Sequence, residues 1–162
     1  MLIDTHAHLA WEDFAGDLEA VLTRAREAGV EAILTVGIDL PSSERCVELA
    51  ERHPEVYATV GLHPNDARTL TDAEWDRMEA LARHKRVVAI GETGLDFYRD
   101  TATPAQQRES FLRQLDLSAR LDKPVVIHCR DAYAAVLDVL RARPAPVRGV
   151  MHCWSGEESA LA

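Results

Sequence analysis

The sequence has no long hydrophobic run, few cysteines and no excess of positive charge. No apolar stretch approaches the roughly 20 residues of a membrane span, and Met1 leads into a strand-like segment without a basic or apolar signal sequence. We therefore expect a cytoplasmic protein with no membrane partner. The three cysteines, Cys46, Cys129 and Cys153, lack C-x-x-C spacing, which argues against a zinc ribbon and a disulfide framework. We expect them to be reduced and to pack in the core.

The formal net charge of -9 argues against a broad basic surface that binds nucleic acid non-specifically. It does not exclude a phosphate substrate, because bound divalent cations would be the largest local charges at such a site. The chain has 162 residues, of which 47% are hydrophobic and 28% are charged, which is enough apolar material for one folded core. It has no Pro/Gly-rich linker, low-complexity tract or repeat, so we expect a single domain over residues 1–162.

Short β-rich segments alternate with amphipathic helical segments along the chain. The predicted strands cover residues 2–5, 32–37, 56–62, 87–92, 124–129 and 149–153. A capping box from Thr71 to Glu74 and the pair Thr103 and Pro104 predict the starts of two helices. Asp131 is predicted to cap the helix that follows the fifth strand. The buried faces of the two earlier helices are predicted to carry Trp75, Met78, Ala82, Phe111, Leu115 and Ala119.

Strict alternation of strands and helices is typical of an α/β fold, either an open doubly wound sheet or a (β/α) barrel. The first strand is followed by "HAHLAW" rather than G-x-G-x-x-G, which favours a TIM-type barrel. About six of the eight strands are visible, and a complete barrel takes about 250 residues. We therefore expect the N-terminal part of a (β/α)₈ barrel, as a truncated gene product or a fragment. Its open edges would favour self-association.

Polar residues of unusual chemistry follow or end the predicted strands: His6, His8, His63, Glu92, His128 and His152. In (β/α) barrels the carboxyl ends of the strands meet at one mouth, which carries the active site. A single histidine there can simply hydrogen-bond a loop, but a packing role explains the whole set poorly. Asp96 and Arg130 also follow strand ends, and each is compatible with either a surface ion pair or a place in the site.

Imidazole and carboxylate together indicate a divalent ion, with Mg²⁺, Mn²⁺ and Zn²⁺ all left open. Five protein ligands exceed what one open catalytic zinc takes, so we expect two ions. Glu92 would bridge them, with His6 and His8 on one ion and His128 and His152 on the other. Such a pair would activate water for attack on phosphorus or on an acyl carbon.

The segments "LIDTHAH", "VGLHP", "AIGETGLDFY", "KPVVIHCRDA" and "MHCWSG" occur within residues 2–156. In order and approximate spacing they resemble the TatD-like metal-dependent deoxyribonucleases of the amidohydrolase-like superfamily. The resemblance implies a (β/α)₈ barrel and a hydrolase with one or two metals that removes nucleotides from DNA 3′ ends, with RNA as a further substrate. It implies a phosphate-binding role for His63. It implies metal-binding roles for His6, His8, Glu92, His128 and His152.

The sequence departs from that family at two places. Ala10 stands where the family often has an acidic or amide residue, which we expect to alter the shape of the mouth. The family continues through two more units, and the seventh supplies a metal-binding aspartate, whereas this chain stops at Ala162. Glu157 and Glu158 are predicted to lie in the first turn of a helix rather than to replace that aspartate.

The sequence is therefore compatible with three functions. The first is a metal-dependent phosphodiesterase acting on DNA ends, in which Glu92 is catalytic and His63 and Arg130 bind the phosphate. The second keeps the metal site but hydrolyses an amide, a lactone or an aminoacyl ester, because fold alone does not choose the substrate. The third is a chain without catalytic activity, because the carboxylate of the seventh unit is lacking.

Overall fold

A computed structural model describes residues 2–68 and 70–156, with a parallel β-sheet at its centre. The strands are β1 (Leu2–Ala7), β2 (Val30–Thr35), β3 (Val56–Val60), β4 (Val87–Asp96), β5 (Val125–Arg130) and β6 (Gly149–Met151). The helices are α1 (Leu18–Glu27), α2 (Leu40–Arg52), α3 (Asp72–Ala82), α4 (Pro104–Leu121) and α5 (Tyr133–Arg141). Short 3₁₀ turns follow β1 and β3, at Glu12–Phe14 and Pro64–Asp66.

The six strands pair in the order β1-β2-β3-β4-β5-β6, and every pairing is parallel. A doubly wound sheet is excluded, because its strand order reverses beside the first strand. The sheet also curves. The ring of His6 in β1 stacks on that of His152 after β6, with ring centroids 4.0 Å apart. The first strand, β1, and the last strand, β6, therefore converge at their carboxyl ends, as in a segment of a (β/α) barrel.

The main core lies between the sheet and its helices. Val56, Ala58 and Val60 of β3 are fully buried, as are Leu22 of α1 and Phe111 of α4. Such near-continuous burial is expected for parallel strands covered on both faces. The two outer strands behave differently within the described part of the chain. Leu2 and Ile3 of β1 are each 57% exposed and Val150 of β6 is 47% exposed, which agrees with the expectation of open edges.

The two predicted helix starts are confirmed. Thr71 accepts a hydrogen bond from the backbone N–H of Glu74, whose carboxylate accepts one from the N–H of Thr71. Thr103 and Gln106 form the same reciprocal pair at the start of α4, with Pro104 as the first helical residue. The prediction for Asp131 is wrong. Asp131 adopts a left-handed conformation with φ 53°, and α5 begins one residue after Ala132, whose side chain makes no capping hydrogen bond.

Two predictions about buried side chains needed correction. Ala119 is exposed, because the buried face of α4 runs through Leu115 and Ser118 instead. Cys153 is exposed because β6 ends at Met151, whereas Cys46 and Cys129 are buried as predicted.

Strand β4 extends to Asp96, four residues beyond its predicted end at Glu92. Glu157 and Glu158 lie outside the described residues. In the described ranges, no helix has the length and apolar character to cross a bilayer.

Candidate metal centre

The carboxyl ends of the strands place the predicted polar residues around one cavity of about 380 Å³. His6 and Glu92 belong to β1 and β4, and His128 belongs to β5. The lining includes His8, His63, Glu92, His128 and His152, and His6 contacts Glu92 directly. Arg130, the last residue of β5, also lines this cavity. The structure therefore brings together every candidate site residue that the sequence indicated.

Glu92 lies at the centre of the cluster and is only 3% exposed. Its Oε2 atom is 3.3 Å from Nε2 of His6 and 3.9 Å from Nε2 of His8. Its Oε1 atom is 2.9 Å from Nδ1 of His128 and 2.6 Å from Nε2 of His152. One oxygen thus faces the histidines at the end of β1, and the other faces those at the ends of β5 and β6. This is the division expected of a carboxylate that bridges two ions.

The charge of Glu92 depends on two opposing effects. Burial raises the pKa of a carboxyl group, but hydrogen bonds from His128, His152 and His6 outweigh it and hold the pKa of Glu92 well below its usual range. The carboxylate is therefore ionised at neutral pH. It supplies the negative charge that a bound cation requires.

The hydrogen bond made by Nδ1 of a histidine indicates whether Nε2 of the same ring carries a proton. In His8 and His63 it is Nε2 that faces Glu92. Nδ1 of His8 lies 3.2 Å from the carbonyl oxygen of Val36 and donates its proton to it, so Nε2 keeps its lone pair toward Glu92. Nδ1 of His63 instead accepts the backbone N–H of Asn65 at 3.1 Å, so the ring proton is on Nε2. His8 is therefore arranged as a ligand, and His63 as a hydrogen-bond donor.

His63 is also neutral. Burial lowers its pKa to about 4, and the neighbouring His128 adds to that effect. At pH 7 the ring is uncharged and presents Nε2–H to the cavity, 3.8 Å from Oε1 of Glu92. Such a group donates one hydrogen bond to an anionic oxygen without itself being a cation.

Two groups of donor atoms are close enough to hold an ion, each with all atoms within 4.8 Å of one another: His6, His8 and Glu92, and His63, Glu92 and His128. His152 lies outside the second group, although its Nε2 contacts Glu92. Because Nε2 of His63 carries a proton, it has no lone pair for an ion. Nε2 of His152 is therefore the better second nitrogen ligand, beside His128. Imidazole nitrogens on both sides of a shared carboxylate fit divalent transition ions, and the carboxylate also suits Mg²⁺.

The rim of the cavity carries cations and aromatic rings. The guanidinium of Arg130 lies 3.6 Å above the ring of Tyr98, and Arg99 joins it in the lining. Trp11 stacks on His8 with ring centroids 4.4 Å apart and planes 3° from parallel. The sequence predicted Arg130 as a phosphate-binding residue but did not single out Trp11, Tyr98 or Arg99. The available signal was their nearness to the motifs, because Trp11 directly follows "HAHLA" and Tyr98 and Arg99 come within three residues of "GETGLD".

Asp96 is the residue that sequence reasoning most underestimated. Its carboxylate is 1% exposed, and Oδ2 lies 3.0 Å from Nε2 of His128. The signal was the alternation Glu92, Gly94, Asp96, which places the two carboxylates on one face of a continuing strand. It was missed because β4 was predicted to end at Glu92.

Comparison with known proteins agrees with this arrangement. Residues 3–162 match the family described as TatD related DNase. The chain is 41% identical, over 96% of its length, to the uncharacterized metal-dependent hydrolase YabD of Bacillus subtilis. It is 39% identical, over 99% of its length, to the 3′-5′ ssDNA/RNA exonuclease TatD of Edwardsiella piscicida. In both alignments it spans 62% of the relative's length.

Solved structures show the same fold. The crystal structure of YJJV, a TatD homolog from Escherichia coli K12, superposes with a TM-score of 0.91 at 35% identity, covering 98% of this chain and 62% of the other. An uncharacterized amidohydrolase from Saccharomyces cerevisiae superposes with a TM-score of 0.72 at 21% identity, covering 85% of this chain and 50% of the other, which shows the fold alone. The six-stranded sheet is thus a partial (β/α) barrel, and the chain belongs to the TatD related DNase family.

Proposed function

We propose that the chain carries the metal site of a divalent-metal-dependent phosphodiester hydrolase that releases nucleotides from the 3′ ends of single-stranded DNA, with RNA as a further substrate. One observation carries the proposal. A buried, ionised Glu92 divides four histidines into two sets at a mouth that two arginines also line. The exonuclease name of the Edwardsiella relative supports the choice of substrate.

We assign metal binding to the set His6, His8, Glu92, His128 and His152. Ions held there would supply positive charge that activates water and neutralises charge developing on the phosphate. Mg²⁺, Mn²⁺ and Zn²⁺ all remain candidates, because the donor set suits each of them. Glu92 is the catalytic residue of this proposal, because its carboxylate is shared by both sides of the cluster.

The substrate phosphate is assigned to His63 and Arg130. Nε2–H of neutral His63 points into the cluster, where it donates to a phosphate oxygen. The guanidinium of Arg130, held over the ring of Tyr98, offers paired N–H donors and a fixed charge at the rim. Together they hold the phosphate beside Glu92 and exclude other orientations.

An amide or ester hydrolase is the main alternative, because related folds support both chemistries. The rim favours the phosphodiester. Arg99 and Arg130 place two permanent cations where an anionic substrate would approach, in a chain of net charge -9. A neutral amide or ester would not gain from either charge.

A comparison of model substrates tests this choice. The purified chain would be stripped with EDTA, reloaded with Mn²⁺, Mg²⁺ or Zn²⁺, and assayed on bis(p-nitrophenyl) phosphate and on p-nitrophenyl acetate. We expect metal-dependent turnover of the phosphodiester, lost in Glu92→Gln and kept in Glu109→Gln, which removes an exposed carboxylate on α4. Turnover of the ester alone would support the alternative, and turnover of neither by a folded chain would support a non-catalytic one.

Three wider expectations stay predictions. A single hydrolase domain and a cytoplasmic location are expected from the sequence. Self-association is expected because the outer strands expose Leu2, Ile3 and Val150. Light scattering tests it, and a monodisperse monomer would contradict it.

A further inference from the structure

We infer that Asp96 is a positioning residue, which holds the ring of His128 in the one neutral tautomer that leaves Nδ1 available to a metal ion. The inference rests on the proposed metal-binding role of His128 and deepens it. It does not depend on which substrate is hydrolysed.

The register of β4 and β5 places Gly94 opposite His128. Glu92 and Asp96 lie two residues to either side of Gly94, so their side chains share the face toward His128. The ring is held at both ends. Nδ1 is 2.9 Å from Oε1 of Glu92, and Nε2 is 3.0 Å from Oδ2 of Asp96. Both carboxylates accept a hydrogen bond from the metal-free ring. An ion bound at Nδ1 would take the place of the proton there, and the ring would keep a single proton, on Nε2.

The carboxylate of Asp96 is fixed by its own contacts. Oδ1 accepts the backbone N–H groups of Tyr98 and Arg99, each at 3.0 Å. Oδ2 accepts the side-chain amide of Asn65 at 3.2 Å as well as His128. The backbone of Asp96 forms two hydrogen bonds of 2.8 Å with the buried side chain of Gln107. An ionised carboxylate held in this way can only accept, so Nε2 of His128 must donate.

Because Nε2 of His128 must donate to Asp96, Nδ1 is the ring nitrogen that is left to bind an ion. When an ion displaces the proton of Nδ1, the proton on Nε2 stays with Asp96, and neutral His128 presents its lone pair at Nδ1, on the side of Glu92. That is the nitrogen through which His128 would serve as a ligand. Carboxylates beyond the ligands commonly fix the tautomer of a metal-binding histidine in this manner, and their loss typically costs about 10–100-fold in metal affinity.

Replacing Asp96 by Asn nearly preserves the shape of the side chain. It reverses which ring nitrogen of His128 is favoured to carry the proton. The two backbone N–H groups at Oδ1 require an oxygen there, which turns the amide nitrogen toward Nε2 of His128. An amide N–H faces Nε2 favourably only if Nε2 accepts, so the ring proton moves to Nδ1. Nδ1 then has no lone pair for an ion. Loss of the negative charge alone would be a second effect, which needs a separate control.

Asp66 provides that control. It lines the same cavity, and Asp66→Asn removes the same charge without altering a group that contacts His128. Binding of Zn²⁺ to the metal-free chain would be measured by calorimetry for the wild type and both variants. We expect Asp96→Asn to bind Zn²⁺ at least about tenfold more weakly and Asp66→Asn to remain close to the wild type. Circular dichroism would establish that each variant is folded.

A direct measurement on the wild type covers the case in which Asp96→Asn does not fold. Proton–nitrogen correlation spectra of the histidine rings, with His128 assigned from its absence in His128→Gln, report which nitrogen carries the proton. In the Zn²⁺-loaded wild type we expect the proton of His128 on Nε2. A proton on Nδ1 there, or equal Zn²⁺ affinity in wild type and Asp96→Asn, would overturn the inference alone. Failure of the wild type to bind Zn²⁺ would overturn the proposed metal site and this inference together.

Discussion

Gly94 of β4 and His128 of β5 lie opposite each other at a distance that admits no side chain. A Cβ atom at position 94 would lie 2.0 Å from the carbonyl oxygen of His128. Gly94 also has a φ of 139°, a conformation that L residues rarely adopt. This close approach sets the distance between the strand that carries Glu92 and the strand that carries His128.

Gly94→Ala is therefore expected to damage both stability and the metal site. The clash and the positive φ together should lower the free energy of unfolding by on the order of 3 kcal/mol, measured by urea denaturation, and should weaken Zn²⁺ binding. Gly16→Ala is the matched control, because a Cβ at Gly16 would meet no atom within 4 Å. Equal stability of the two variants would show that the strands can separate without cost.

His63 should make the stability of the metal-free chain depend on pH. Its pKa is about 4 in the folded chain because burial disfavours the charged ring, against an ordinary value of 6.5. Between these values the unfolded chain binds the proton and the folded chain does not. The free energy of unfolding should therefore fall as the pH drops from 6.5 toward 4, by on the order of 2 kcal/mol from this residue.

Urea denaturation in EDTA at pH 7 and pH 4.5, on the wild type and on His63→Gln, isolates that contribution. The variant keeps a side-chain N–H donor but cannot titrate, so its stability should decrease less than that of the wild type over the same interval. Identical decreases would mean that the ring of His63 is not desolvated in the folded chain.

Arg130 should contribute binding energy through its charge. Arg130→Ala is expected to weaken binding of a single-stranded oligonucleotide by about tenfold, and to reduce the slope of log affinity against log salt by about 0.7, as for one lost phosphate contact. Fluorescence anisotropy with a hydrolysis-resistant phosphorothioate oligonucleotide measures both quantities. Arg108→Ala, which removes an exposed cation on α4, is the control. An unchanged salt slope in Arg130→Ala would contradict the assignment.

Much of the fold could be read from the sequence because its signals are local. The capping box of Thr71 with Glu74 and the N-cap Thr103 before Pro104 have a fixed spacing along the chain, and both form as predicted. The convergence of histidines also followed from local information, since parallel strands bring their carboxyl ends to one edge. His6 and His152 stack although 146 positions separate them in the numbering, because each stands at such an end.

The errors arose where tertiary contacts determine local structure. Asp96 was left undecided because β4 was predicted to end at Glu92, whereas its continuation to Asp96 depends on pairing with β5 and on hydrogen bonds with Gln107 of α4. Cys153 was placed in the core because the short length of β6 depends on pairing with β5. The roles of His8 and His63 differ only through the partners of their Nδ1 atoms, which lie on other segments or in a local turn.

The proposed function is tested most directly by nucleotide release from a 3′-labelled single-stranded DNA in Mn²⁺ or Mg²⁺. We expect the wild-type chain to release the labelled terminal nucleotide, EDTA to stop the release, Glu92→Gln to abolish it and Glu109→Gln to leave it unchanged. Release that persists in EDTA or in Glu92→Gln would contradict the metal-dependent account, as would no release from a folded chain shown to bind the metal.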